Sequence, residues 1–352
     1  MNNSLFKGLV VVDLSTVLAG PSVGMFFAEL GARVIKIEHP KNPDVTRSWK
    51  LPSEDASSPV SAYFSSINYK KEYQKLNLTD ENDRKILNDL LQEADILLSN
   101  FKRSDYTKFG LDKLSEEYPS LIHGRISGYG TDSDRVAYDL ILQAESGFMS
   151  MNGTPDSGPV KMPVALIDVL AAHHLKEGIL CKLIERNQTN RGGLVSVSLL
   201  DAAISSLVNQ ASNYLMTETV PKRIGSLHPN IAPYGEIFNT SDERLVTFAI
   251  GSDQHFAKLC QVLGIEELKA DNRFNNNQNR VIHREELGSI IKKSVARFEL
   301  DTLLERLHQL NVPAGEIKSL DRVFTEEQAR KLIREEVIAG IQTKRVSGIA
   351  FK

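Results

Sequence analysis

The sequence predicts an α/β protein built on an open parallel sheet with helices on both faces, with a second domain toward its C-terminal half. Three observations carry that prediction. Leu9–Leu14 (LVVVDL) is a continuous β-branched apolar run, Ser22–Leu30 reads as a helix with Pro21 near its start and Gly31 past its end, and Arg33–Glu38 (RVIKIE) reads as a strand. Such a βαβ unit has a short crossover, which implies parallel neighbours and a right-handed connection. The alternation continues through a helix at Glu81–Glu93, a strand at Ala94–Ser99, a short helix at Leu111–Glu117 and a strand at Leu121–Ser127. After the Gly/Pro/Ser/Asn-rich stretch Gly147–Pro163 the pattern changes to a long helix from Val169 to about Arg186, a strand at Leu194–Ser198 and a helix from Leu199 to about Met216. A loop over Ile224–Pro233 precedes a strand (Leu245–Ile250) and helices near Gln254–Leu263, Glu285–Phe298 and Asp301–Leu310; roughly Tyr234–Pro313 is read as the second domain. The tail reads as a helix over Thr325–Arg334 and a few short strands.

Composition narrows the class. The chain has 352 residues, 41% hydrophobic and 25% charged, close to globular averages, so neither disorder nor a membrane protein is indicated. No apolar run of about 18 residues occurs and the N-terminus lacks a signal-peptide profile, which makes the cytoplasm the expected location. A formal charge of −3 argues against a general nucleic-acid binder. Cys181 and Cys260, both inside amphipathic helical patterns, are expected to be buried free thiols, and no metal-binding spacing is present.

In a parallel sheet, ligands gather at the carboxyl ends of the strands, here the loops Ser15–Gly20, His39 onward, Asn100–Phe101 and Gly128–Gly130. Gly20 and Gly24 are spaced G-x-x-x-G without the G-x-G of a dinucleotide loop, so Glu38, placed where a ribose-binding acid would sit, is a weak sign of a dehydrogenase. Arg47, Lys70, Lys71, Lys102, Lys108 and Arg135 fall in or beside these loops, where ordinary solvated charge is the plain reading. His173 and His174 read as structural. Asp168 directly precedes an apolar helix. It is expected to be its N-cap, and the same free N–H groups and helix dipole would keep a carboxylate ionised and available as a nucleophile.

The segment LVVVDLSTVLAGPSVGMFFAELGARVIKIEHP resembles the opening of the family III CoA-transferases, a family that also contains 2-methylacyl-CoA racemases. The resemblance continues in order through NLTDENDRKILNDLLQEADILLSNFK, AYDLILQAESGFMSMNG, PVALIDVLAA, RNQTNRGGLVSVSLLDAA, HPNIAPYG, AIGSDQHFAKLCQVLG and NVPAGEI. It implies a large Rossmann-like domain formed by both ends of the chain, a smaller α+β domain inserted between them, and an interlaced homodimer. Combined with the spacing, it gives a large domain over 1–215, a linker over 216–233, a small domain over 234–313 and a return segment over 314–352.

By the same resemblance Asp168 matches the family's catalytic aspartate, which attacks a donor thioester and passes through an aspartyl anhydride and an aspartyl-CoA thioester. Thr16, Val17, Ala19, His39, Asn100, Phe101, Lys108 and Arg135 match CoA-binding positions. His39 stands where some members have arginine, and Val136, next to Arg135, where some have lysine. Leu18, Tyr138, Asp139 and Gly251 match substrate or catalytic-support positions, Gly251 in a turn that carries several glycines in certain transferases. A plain turn capped by Ser252 is the other reading there. No cofactor and no metal are expected; CoA thioesters and carboxylic acids are the substrates, with no nucleic-acid or membrane partner. The racemase histidine aligns with Tyr138 in Ala137-Tyr138-Asp139. A phenol of pKa about 10 is a poor base at neutral pH, so transferase is preferred over racemase, with a CoA-binding relative lacking catalysis as a further alternative. One feature points the other way: with its short C-terminus the chain is expected to be nearer in length to the racemases than to the longer transferases.

Overall fold

The structure, a computed structural model, describes residues 4–351. Two compact units are formed. One comprises the chain up to Ser150, Lys161–Pro221 and the chain from Gln328; the other comprises Met151–Val160 and Lys222–Glu327.

The first unit is built on six parallel strands: β1 (Val10–Asp13), β2 (Arg33–Glu38), β3 (Lys71–Lys75), β4 (Ile96–Ser99), β5 (Ile122–Ser127) and β6 (Gly193–Ser198), in the order β3-β2-β1-β4-β5-β6. The continuous apolar runs are explained by burial on both faces. Val11, Val34, Ile96, Leu98 and Ile122 pack with the helices Ala19–Glu29 and Leu166–Thr189, while Val12, Leu14, Ile35, Ile37 and Leu97 face Leu87 and Leu91 of the helix Glu81–Glu93. β3 (KEYQK) escaped the sequence reading because it is a sheet-edge strand with a half-exposed polar pattern. The helix expected from Leu199 to Met216 is broken into Leu199–Ser205 and Val208–Thr217, with Val208 at φ +45°.

The second unit holds an antiparallel sheet of β7 (Tyr234–Asn239), β8 (Leu245–Ala249) and β9 (Ala314–Glu316), packed by the helices Asp253–Leu263, Arg284–Val295 and Leu300–Gln309 around Phe248, Phe256, Leu259, Ile291 and Leu303. Its limits differ from the expected 234–313. β9 hydrogen-bonds to β8, so the return to the first unit comes at Gln328 and not at 314. Residues 222–233 join this unit through bonds such as His228 N–H to Tyr234 O and the Arg284 guanidinium to His228 O. The segment Met151–Val160 joins through Gly225 N–H to Gly153 O. In the tail the expected helix over Thr325–Arg334 shrinks to Glu327–Arg330, the short strands expected after it form the hairpin β10 (Ile333–Ile338) and β11 (Ile341–Val346), and Arg345 of β11 pairs with the buried Glu29 of the first helix.

Cys260 is buried and free as expected, but Cys181 is exposed: Ile167, Ala171, Leu175 and Ile179 mark the inner face of its helix, and position 181 points away from it.

Candidate active site

The turn after β1 is fixed by side chains from neighbouring strand ends. Ser15 N–H donates to Asp13 Oδ1 at 3.0 Å, and Ser15 O accepts from Lys36 Nζ at 2.7 Å. Thr16 is clasped by Asn100, which accepts from its N–H at 3.0 Å and donates to its carbonyl at 2.8 Å. Val17 N–H points to both Asp44 oxygens, at 3.4 and 3.3 Å, and Val17 has φ +72°, a conformation that β-branched residues rarely adopt. The chain then enters the helix Ala19–Glu29, for which Leu18 is the N-cap without a side-chain cap.

Both glycines are required by close packing. A Cβ on Gly20 would lie 2.3 Å from the Ser15 side chain, and one on Gly24 would lie 3.0 Å from Asp13 Oδ2 and 3.3 Å from Lys71 Nζ. Glu38, the candidate ribose acid, is taken by Arg47 in a two-pronged ion pair at 2.8 and 2.6 Å. Arg47 and Lys71 are therefore not solvated charges: Lys71 is inaccessible at its side chain and bonds Asp13, Pro21 O and Asn68, each at 2.8 Å.

Beside this turn lies a cavity of about 460 Å³. Four expected CoA-binding residues line it: Thr16, His39, Phe101 and Lys108. Asn42, Asn77, Thr79 and Phe109 also line it and were missed by the sequence reading; Asn77 and Thr79 lie in the quoted NLTD segment, which was the available signal. The rings of Phe101 and Phe109 meet edge-on at 5.0 Å, giving the cavity an aromatic wall with Lys108 on it. His39 Nδ1 accepts from the N–H groups of Lys41 and Asn42, at 3.2 and 3.1 Å, which fixes the ring. Arg135 does not line this cavity; it pairs with Glu145 and stacks at 4.1 Å on Tyr129.

Asp168 does not cap its helix. The N-cap is Ala165, and Asp168 is the third helical residue, 7% exposed. The capping carboxylate is Asp139, whose Oδ1 accepts from Ile167 N–H at 2.7 Å. Its Oδ2 accepts from Gln143 Nε2 at 2.6 Å, and buried Gln143 accepts from Met162 N–H at 2.8 Å, so one polar clamp holds the approach and first turn of the Asp168 helix. No described side chain or N–H bonds the Asp168 carboxylate, and burial, then the nearby Asp139 charge, push its pKa up to about 7. That is opposite to the lowering expected from a cap. Tyr63, unflagged in the sequence, also belongs here: burial, and then the charges of Asp168, Asp139 and Asp44, push its phenol up to about 12, so it stays protonated. Tyr138 begins the short helix Asp139–Glu145 and is half exposed. Gly251 lies in the second unit in the turn after β8, and Ser252 caps the following helix by accepting from His255 N–H at 3.1 Å.

Fold and site together define an α/β enzyme with a buried carboxylate and a cavity at the carboxyl ends of its sheet. The CoA-transferase family III model matches residues 6–347, and the chain belongs to that family. It is 36% identical to a succinate–glutarate CoA-transferase of Agrobacterium fabrum, over 92% of this chain and 82% of the relative. It is 35% identical to an acetyl-CoA:oxalate CoA-transferase of Acetobacter aceti, over 88% and 80%. Among solved structures, a CAIB/BAIF family protein from Brucella suis matches with a TM-score of 0.83 and 35% identity, over 99% of this chain and 93% of that one. Among the described residues, no helix is long and apolar enough to cross a membrane and no cluster of three or more His, Cys, Asp or Glu could hold a metal.

Proposed function

We propose that this enzyme moves coenzyme A between carboxylic acids with Asp168 as nucleophile, and that its substrates are small dicarboxylic acids. The observation that carries the nucleophile is the Asp168 carboxyl itself: buried, without a hydrogen-bond partner, and with a pKa near 7. A carboxylate with little water around it and raised basicity attacks a thioester more readily than a fully solvated one, and low solvent access around it disfavours hydrolysis of the intermediates.

Asp168 attacks the donor acyl carbonyl and CoA leaves as the thiolate, giving a mixed anhydride. The thiolate attacks the aspartyl carbonyl, forming the aspartyl-CoA thioester and freeing the donor carboxylate. The acceptor carboxylate attacks that thioester, again expelling the thiolate, which then attacks the acceptor acyl carbonyl and restores Asp168. The cavity lined by Thr16, His39, Phe101 and Lys108 takes part of CoA, its aromatic wall suiting the purine and Lys108 a phosphate. Leu18 and Ala19 present the N–H groups at the start of the first helix, and Asn100 holds Thr16 for the same turn. Tyr63, kept protonated by burial and by the charges of Asp168, Asp139 and Asp44, is a candidate donor for developing charge.

The dicarboxylate assignment rests on the relatives named for succinate, glutarate and oxalate. A homodimer, interlaced as the family resemblance implies, would cover Val208, Tyr214, Leu215 and Met216, which expose apolar surface on a helix with no buried residue.

Incubation with succinyl-CoA and no acceptor tests the nucleophile. Hydroxylamine is expected to convert Asp168 to a hydroxamate, and glutarate or oxalate to yield the corresponding thioester. Absence of the adduct together with α-deuteration of a 2-methylacyl-CoA would make the protein a racemase.

A further inference from the structure

Beneath the turn that follows β1 lie two ion pairs with no solvent access at their side chains. Asp13 pairs with Lys71 at 2.8 Å, and Lys36 with Asp44 at 3.0 Å. Burial works against ionisation of Asp13, yet Lys71 and Lys36, with hydrogen bonds from Lys71 and Ser15, hold its carboxyl below the usual range, while burial lowers Lys71 itself to about 8. Burying four charged groups is costly, and apolar replacements of such pairs are often no less stable, so core formation alone does not account for them.

What they do is visible in the backbone. Lys36 Nζ joins Asp44 to Ser15 O, Asp44 reaches Val17 N–H, and Asp44 is itself fixed by Thr46 N–H at 3.1 Å, by Thr46 Oγ1 at 2.7 Å and through its own N–H to Glu38 at 3.0 Å. On the other side, Asp13 holds Ser15 N–H, and Lys71 holds Pro21 O in the first turn of the helix. Between these anchors sits Val17 at φ +72°, which nothing in valine favours. The N–H groups of Leu18, Ala19 and Gly20, immediately after the strained residue, are bonded to no described protein group, so their direction depends on how Val17 is held.

We propose that Lys36 and Asp44 are positioning residues: a buried ion pair that keeps Val17 left-handed and so holds the turn over Thr16 in the form that receives coenzyme A. The proposal rests on the CoA reading of the cavity. Neither residue is assigned a contact with the reacting atoms; Asp44 lines the cavity edge and acts here through Val17 N–H, and Lys36 through Asp44 and Ser15 O.

The strain supplies the test, because glycine adopts a positive φ without cost. Calorimetric Kd for free CoA is measured for the wild type, Lys36→Met/Asp44→Asn, Val17→Gly and the triple variant; the paired substitution removes both charges and leaves neither orphaned. In the valine background Kd is expected to rise at least tenfold, with KM for succinyl-CoA rising alongside and kcat within threefold. In the glycine background the same pair of substitutions should raise Kd by no more than threefold. A tenfold loss in both backgrounds would mean general disruption and would overturn the proposal, as would a Kd unchanged within twofold in the valine background. Should the double variant not fold, Asp44→Asn alone, an exchange of one atom, is expected to raise Kd about threefold with valine and not at all with glycine; equal effects in both backgrounds overturn the proposal. A wild-type protein that does not bind CoA would instead overturn the reading of the cavity, and the proposal with it.

Discussion

Replacing Asp168 by asparagine should stabilise the protein while abolishing transfer, and the gain should depend on pH in a way the geometry dictates. The side chain is 7% exposed and lacks a hydrogen-bond partner, and its carboxyl is raised from 3.8 to about 7 by burial and by Asp139. A carboxyl with a higher pKa when folded keeps its proton longer in the native state, so stability is full below the unfolded pKa and is lost as pH climbs to the folded one. Some three pKa steps correspond to about 4 kcal/mol lost by pH 8, to less than about 2 kcal/mol at pH 5 and to nearly nothing at pH 3. Asparagine has almost the same shape and stays neutral throughout. Asp168→Asn should therefore melt about 5 °C above the parent at pH 8, given an unfolding entropy of about 2.1 cal/mol/K per residue. That difference should shrink steadily toward pH 4 in scanning calorimetry across a series of buffers. The helix loses no cap, because Asp139 supplies it. An Asn variant no more stable than the parent at pH 8, or one whose gain is the same at pH 4 and pH 8, would refute the burial argument. Retained transfer would remove Asp168 from the chemistry.

Other outcomes follow from the same geometry. The kcat/KM of transfer should rise with pH through about 7 as Asp168 ionises; Asp139→Asn, which keeps an oxygen for Ile167 N–H but removes the neighbouring charge, should move that limb to lower pH, and an unmoved limb would show that burial alone sets it. Lys108→Ala should weaken CoA binding roughly tenfold at low salt and less at high salt, as a charge-assisted phosphate contact does, whereas Arg135→Ala should change it by less than about twofold; titration calorimetry separates them. Gly20→Ala drives a methyl to 2.3 Å from Ser15 and should cost about 1–3 kcal/mol in denaturant unfolding.

The sheet was legible in the sequence because its strands are buried on both faces and so read as unbroken apolar runs; β2 was delimited to the residue, and β1, β4 and β5 within one or two. Thr16, His39, Phe101 and Lys108 could be selected by resemblance, since the carboxyl ends of parallel strands necessarily share one rim, and the structure brings these four to one cavity. Asp168 could be picked out as the carboxylate at a helix start, but its environment could not. Whether it is a cap or an unpartnered buried acid depends on Asp139, 29 residues earlier in the chain, reaching Ile167 N–H first. Local spacing carries no information about that competition. The same holds for Lys71: in the sequence it is one of six basic residues near the rim, and only the closing of β3 onto β2 encloses it opposite Asp13. Hydrophobic periodicity specifies which faces meet. Which polar groups are left without water, and hence which charges are paired and which pKa values move, is decided only when distant strands and helices come together.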